Sequence, residues 1–265
     1  MAGLTLAFVG PPVIASIGPP AIGGPPSLSV GLAGQAALVL LAATVLAILR
    51  RWQRQPITSI GLRPLDARSV ALALVLVLFF RFVFLPLTSF TLTGLGIAGW
   101  DAGVAALGTL PTWYLTLAVI LGPAVEEILY RGYAIETLAS ISDSDALAVI
   151  VSTAAFGFAH VPGWGWGPAT SAMLSGAVAA LFYVWTRDLN AVILSHVVTD
   201  FFGIVVPNDA LVRGQGPCLR EPARHRRPWF RMGLGQLHGG RHFVLAASAL
   251  AESIEHGAFA LQSKC

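Results

Sequence analysis

Charge is what this chain lacks most. Asp, Glu, Lys and Arg make up 11% of its 265 residues, where a soluble domain carries about 25%. Too few charges remain to solvate a globular surface, and 55% of the residues are hydrophobic. A bilayer is the solvent that suits such a composition. Lysine is absent from residues 1–206, which hold eight Arg against nine acidic residues. The basic excess lies in residues 207–265, with seven Arg and one Lys against four acids. It reads as a solvated tail, with anionic lipid headgroups as the alternative contact, and not as nucleic-acid binding. Cysteine is nearly absent too. Cys218 and Cys265 both lie in that tail, so no disulfide framework and no thiolate metal site can be built elsewhere. Two-residue hydrophobic alternation is missing, which argues against a membrane barrel. No basic segment precedes an apolar run at the N-terminus, so a cleaved signal peptide is not expected.

What the chain has is apolar runs. Residues 1–29 are rich in Gly and Pro, and Pro-Pro steps such as Pro11-Pro12 should not continue a helix. A first span is expected over Leu32–Leu49, followed directly by Arg50, Arg51 and Arg54. A second runs over Val70–Phe90 with Arg81 inside it. Residues 91–111 are Gly-rich and interrupted by Asp101, a short or broken segment. Further spans cover Trp113–Leu138, Ala146–His160, Ala169–Trp185 and Leu189–Val206. Most hold the roughly 17–25 residues that cross the hydrocarbon. The expectation is an all-α, polytopic transmembrane helix bundle of about six or seven spanning helices. It divides into residues 1–29, N-terminal membrane helices over 30–112, a second membrane domain over 113–206 and the basic tail over 207–265. The loop after the first span has the densest Arg cluster and is placed in the cytoplasm. Alternation then puts the loops at Ser140–Asp145 and Arg187-Asp188 on that side as well.

Three polar clusters interrupt the apolar spans: Glu126-Glu127 with Tyr130-Arg131, Phe156 with His160, and His196 with Asp200. An ionised side chain at the bilayer centre costs about 3 kcal/mol on insertion scales, so such groups mark function by default. Glu127 and Arg131 are four apart and can pair on one helical face. Glu126 projects about 100° away, free to face a cavity. His196 and Asp200 are also four apart, which suits an imidazole oriented by a carboxylate. His160 comes from another helix. Carboxylate, imidazole and guanidinium around one wet pocket suit hydrolysis: a carboxylate can act as base for water, and imidazoles can bind an oxyanion or a metal. Ser195 adjoins His196, but neighbours on a helix face different ways, so no serine–histidine pair is indicated.

The order E-E-x-x-x-R, F-x-x-x-H and H-x-x-x-N/D, each in its own span, is similar to the CAAX-processing and bacteriocin-processing (CPBP) intramembrane proteases, which include the type II CAAX prenyl endopeptidases. The residues that carry the resemblance are Glu126, Glu127 and Arg131, then Phe156 and His160, then His196 and Asp200. It covers about residues 113–206. Asp200 stands where many members have Asn. The resemblance implies an integral membrane endopeptidase, expected in the cell membrane of a prokaryote. Its partners would be lipid and a peptide or protein substrate within or near the bilayer: a prenylated CAAX tail, a bacteriocin-type leader or another membrane peptide. The family has been described both as metalloproteases and as glutamate enzymes. Glu126, His160 and His196 could hold a divalent metal such as zinc, or Glu126 could activate water directly; no H-E-x-x-H motif decides between them.

Simpler readings compete. A buried ion pair would explain Glu127 with Arg131 but leaves Glu126 without a partner. His160 alone would read as a helix-end histidine near the interface, and His196 alone as a polar bridge between helices. Tyr130 and Phe156 read as packing, and Arg81 as a snorkelling side chain or ion pair. Intramembrane Glu, His, Asp and Arg also mark proton-coupled transporters, although no internal repeat accompanies them here. A catalytically inactive scaffold of the same fold is the third alternative.

Overall fold

The computed structural model describes residues 1–17, 27–97 and 99–206. Expectations that fall on the basic tail, residues 207–265, lie outside the described residues. Among the described residues there are helices and no strand. Five helical stretches are long and apolar enough to cross a membrane: Leu28–Trp52, Ala67–Gly94, Thr112–Ser142, Asp145–Trp164 and Trp166–Thr186. Two shorter apolar helices, Ala2–Ser16 and Leu189–Val205, accompany them. The chain is a polytopic helical membrane protein. Large apolar side chains such as Leu40, Phe82, Phe90 and Leu181 point outward, as a lipid solvent requires.

In chain order the helices are α1 (Ala2–Ile17), α2 (Leu28–Ala47), α3 (Ala67–Phe79), α4 (Leu85–Gly94), α5 (Asp101–Leu107), α6 (Thr112–Glu126), α7 (Glu136–Ser142), α8 (Asp145–Trp164), α9 (Trp166–Thr186) and α10 (Leu189–Asp200). α1 corrects one expectation, because it continues through Pro11 and Pro12. The two prolines remove backbone donors there, yet Leu4 and Ala7 of this helix are buried and it packs on α2 and α8. Tertiary burial outweighs the local penalty. α5 is too short to span, so residues 91–111 form the broken segment expected of them.

Several of these helices do not end where they meet. π-helical turns join α3 to α4 (Phe80–Phe84) and α6 to α7 (Glu127–Ile135), and extend α10 (Phe201–Val205). Such wider turns cluster at functional sites. The longest carries the Glu127–Arg131 motif, and all its residues except Ile128 are buried. The Ser152 hydroxyl of α8 donates to the Tyr130 carbonyl at 2.6 Å, the kind of side-chain bond that satisfies irregular backbone inside a membrane. α8 lies along α9 through small residues. Ala172, Gly176, Ala179 and Ala180 are buried there, as expected of close helix contact.

One end of the bundle is polar and tightly tied. The Leu189 N–H donates to the Gly61 carbonyl at 3.1 Å, and Gly61 needs its left-handed φ of 77° to make that turn. Asp66 caps α3 by accepting from the Ser69 N–H, a bond that holds its carboxyl below the ordinary range. Arg187 bridges Glu136 at 2.6 Å and Asp145 at 2.7 Å. Burial works against its charge, but these bonds outweigh it and raise its pKa. The loops at residues 50–66, 142–145 and 187–188 are thus gathered at one end, as strict alternation of the spans requires.

Asp188 has two duties there. Its Oδ1 accepts the Ala191 N–H at 3.0 Å to cap α10, and its Oδ2 accepts the Ser69 hydroxyl at 2.7 Å. Asp188→Ala removes both and should destabilise the protein by about 1–2 kcal/mol, read as a lowered Tm in detergent. Asp188→Asn keeps an acceptor for the cap and should recover most of the loss. An unchanged Tm for the alanine variant would contradict this assignment.

Candidate active site

Glu126 closes α6 and Glu127 opens the π-helical turn. Pro123, one turn earlier, has no N–H to give. The two glutamates have opposite environments. Glu127 is 1% exposed and Glu126 is 26% exposed. Glu127 Oε1 stands 3.2 Å from Arg131 Nη1 and accepts from His196 Nδ1 at 2.7 Å. The four-residue pairing expected from sequence survives the change from α to π geometry.

Arg131 is enclosed. Its guanidinium lies over the Phe156 ring at 3.9 Å, and Nη2 donates to the Gly176 carbonyl at 3.4 Å. Phe156 therefore does more than pack. It supplies the aromatic face under a buried cation, and its ring also meets Tyr130 at 5.3 Å, His160 at 4.7 Å and His196 at 6.5 Å. The F-x-x-x-H spacing explains this, since it sets the aromatic ring and the imidazole on one face of α8.

The histidines have definite orientations. His160 Nδ1 is 2.8 Å from the Phe156 carbonyl, which can only accept, so Nδ1 carries the proton and Nε2 is left for other partners. His196 Nδ1 donates to Glu127. Its Nε2 lies 3.6 Å from Asp200 Oδ2 and 4.0 Å from Glu126 Oε2. The sequence pattern assigned the orienting carboxylate to Asp200; in the structure Glu127 holds the ring, and Asp200 faces its free nitrogen. Ser195 is buried and donates to the Val192 carbonyl of its own helix, so it forms no pair with His196.

The six ionisable residues of the three motifs, Glu126, Glu127, Arg131, His160, His196 and Asp200, line one cavity of about 320 Å³ together with Phe156. Its wall is completed by Ser171, Ser175, Gly176 and Thr199, and by Trp100 and Trp164. Trp100 was not singled out from sequence. It comes from the broken segment and meets the His160 ring edge-on at 6.1 Å. Glu126, His160 and Asp200 also border a second cavity between α2 and α6, where the buried Tyr130 hydroxyl and Gln35 Oε1 have no hydrogen-bond partner among the described residues.

The donor set for a metal can be tested on this geometry. Among the described residues, no group of three His, Cys, Asp or Glu side chains is close enough together to share one ion. Glu126, His160 and His196 are therefore not an assembled cradle in this arrangement, although the bond from His196 Nδ1 to Glu127 leaves Nε2 open.

Residues 108–202 match the family model for type II CAAX prenyl endopeptidase Rce1-like proteins. The matched segment contains all six residues and all three motifs. No curated protein and no solved structure matches the chain. The Rce1-like segment begins at the end of α5 and stops within the π-helical turn that follows α10. It is the part of the chain that forms the floor and most walls of the cavity.

Gly176 shows how closely this floor is fitted. A Cβ built there would stand 2.7 Å from Phe156 Cδ1 and 3.0 Å from Arg131 Nη2. Gly176→Ala should displace the ring or the guanidinium and cost about 1–3 kcal/mol, as overpacking does. Thermal unfolding in detergent checks this. Wild-type stability would show that the Arg131 enclosure has slack.

Proposed function

We propose that this chain hydrolyses a peptide bond of a membrane-associated protein or leader peptide, with Glu126 as the base that activates water. The Rce1-like match supports CAAX-type protease activity in general. The observation that carries the finer reading is the unequal fate of the two glutamates: Glu127 is spent on Arg131 and His196, while Glu126 faces the cavity at 26% exposure. In a general-base mechanism Glu126 takes a proton from water as the oxygen attacks the carbonyl carbon. The proton then passes to the leaving nitrogen as the C–N bond breaks. The free Nε2 atoms of His160 and His196 flank the path of that proton and, when protonated, would bind the developing oxyanion. Asp200 Oδ2 faces His196 Nε2 at 3.6 Å. The 3.6 and 4.0 Å separations around His196 Nε2 exceed direct hydrogen bonds, so this nitrogen is not committed to either carboxylate.

The substrate classes implied by the resemblance remain the candidates: a prenylated CAAX tail, a bacteriocin-type leader or another membrane peptide. A divalent ion such as zinc at Glu126, His160 and His196 is the other mode consistent with these residue types. It would require the side chains to close around the ion, and a chelator would then abolish cleavage.

Glu126→Gln preserves shape but cannot accept a proton. Cleavage of a quenched farnesylated peptide in nanodiscs should fall by about 10²–10⁴, with Tm unchanged. Glu127→Gln should lose stability as well, because a buried cation left without its partner costs about 3–5 kcal/mol. Wild-type cleavage by Glu126→Gln would sink the mechanism. Equal destabilisation by both changes would favour a structural role for both glutamates.

A further inference from the structure

Glu126, His160 and Asp200 stand on a divide. They border both the first cavity and the second, which has a volume of about 370 Å³. Glu127 and Arg131 line the first and not the second. Tyr130, four residues from Glu126 and on the same helical face, lines the second and not the first. Part of the second wall comes from α1 and α2, through Pro11, Gly34 and Gln35. These residues lie outside the Rce1-like segment. The remaining wall is mostly apolar, with Leu115, Val119 and Leu129 buried in it.

Two polar groups in this wall have no partner among the described residues. The Tyr130 hydroxyl and Gln35 Oε1 bond neither to each other nor to any neighbour. Other buried tyrosines are satisfied: the Tyr133 hydroxyl accepts from Gln53 Nε2 at 2.8 Å, and Tyr183 donates to Glu136 at 2.8 Å. Tyr130 is 1% exposed, and its ring packs against Phe8 at 6.3 Å and Phe156 at 5.3 Å. Phenylalanine would pack there equally well, so packing explains the ring and not the hydroxyl. An unpaired buried hydroxyl costs stability, and the fold alone gives no return for it.

The chemistry of the wall selects its occupant. An isoprenoid or acyl chain would cover the apolar surface and leave both polar groups unpaired. A peptide unit carries one N–H and one C=O. Gln35 Oε1 can accept from the first, and the Tyr130 hydroxyl can donate to the second. Gln35 is half-buried and its Oε1 is held by no bond, so its amide is free to turn toward such a ligand. Continuity sets the register. A chain whose scissile carbonyl stands beside Glu126 passes directly into the second cavity, because Glu126 borders both.

We infer that the second cavity binds the substrate segment next to the scissile bond, with Gln35 and Tyr130 holding one of its peptide units. This rests on the hydrolytic reading above. It adds Gln35, from a helix that the family model does not cover, to the residues that recognise substrate.

The test separates binding from turnover. A farnesylated peptide carrying benzoylphenylalanine beside the scissile bond is photo-crosslinked to the full chain bearing Glu126→Gln, in nanodiscs. Cross-links should fall on α2 and α6, around Gly34, Gln35 and Val119. Cross-links confined to the first cavity, at Phe80 or Leu85, overturn the inference. Half-saturation of cross-linking is then compared among variants in the same background. A Cβ built at Gly34 meets no atom within 4 Å, so Gly34→Leu enters open space, and leucine is the better helix former. This plug should raise half-saturation about tenfold, the worth of burying one apolar side chain. Gln35→Leu and Tyr130→Phe should each raise it about 3–10-fold, the worth of one hydrogen bond. Tm should stay the same or rise in both, because an unpaired group is gone; a purely structural Tyr130 would leave half-saturation untouched. Wild-type half-saturation in the Gly34→Leu chain overturns the inference. So does wild-type half-saturation in both polar variants, the result that an apolar chain as occupant requires. Cross-linking as expected, with no cleavage by the chain that keeps Glu126, upholds the subsite and refutes the hydrolytic reading instead.

Discussion

One buried carboxylate organises the helices that enclose the cavity. Glu127 has nearly no contact with solvent and serves two partners on the same oxygen, the Arg131 guanidinium and the His196 imidazole. A lone ion in that position would cost several kcal/mol, so the group persists only because its partners are fixed. Fixing them ties the bundle together. Arg131 reaches the Phe156 ring of α8 and the Gly176 carbonyl of α9, while His196 belongs to α10. The central helix thereby grips three neighbours through one charge cluster, with the π-helical turn providing the wider spacing in which it sits.

That arrangement divides labour between adjacent residues of the same type. Because Glu127 satisfies the cation and orients the imidazole, Glu126 is free of structural duty and faces the cavity. A single glutamate could not serve both roles, since a carboxylate held by Arg131 is a poor proton acceptor. Under the proposed hydrolysis, the doubling of acid in an otherwise apolar span, costly by any insertion scale, follows from this need.

Much of this was legible in the sequence. Long apolar runs with few charges can satisfy their backbones in lipid only as helices, so the spans could be placed within a few residues. Charged residues in such runs stand out, which is why the six ionisable residues of the motifs could be named beforehand. The Glu127–Arg131 pair followed from spacing alone. Other features depend on contacts between distant segments. The bond from His196 to Glu127 spans 69 residues, and local spacing pointed to Asp200 instead. The helix through Pro11 and Pro12 is held by burial against α2 and α8, which no local propensity reports. The role of Phe156 beneath Arg131 needs two helices at once, and Trp100 lies in a segment whose sequence marks only a break. Nor does any residue pattern announce a π-helical turn, because its extra residue per turn is absorbed within an apolar run.

The central claim is that Glu127 and Arg131 act as one structural unit that leaves Glu126 available for chemistry. A double-mutant cycle tests it most directly: Glu127→Gln, Arg131→Met and the double variant, compared by thermal stability of the purified protein in detergent. The account predicts strong coupling, with the double variant about 1–3 kcal/mol more stable than the sum of the single losses would give, because removing both charges leaves neither buried alone. Additive losses from the two substitutions would contradict it.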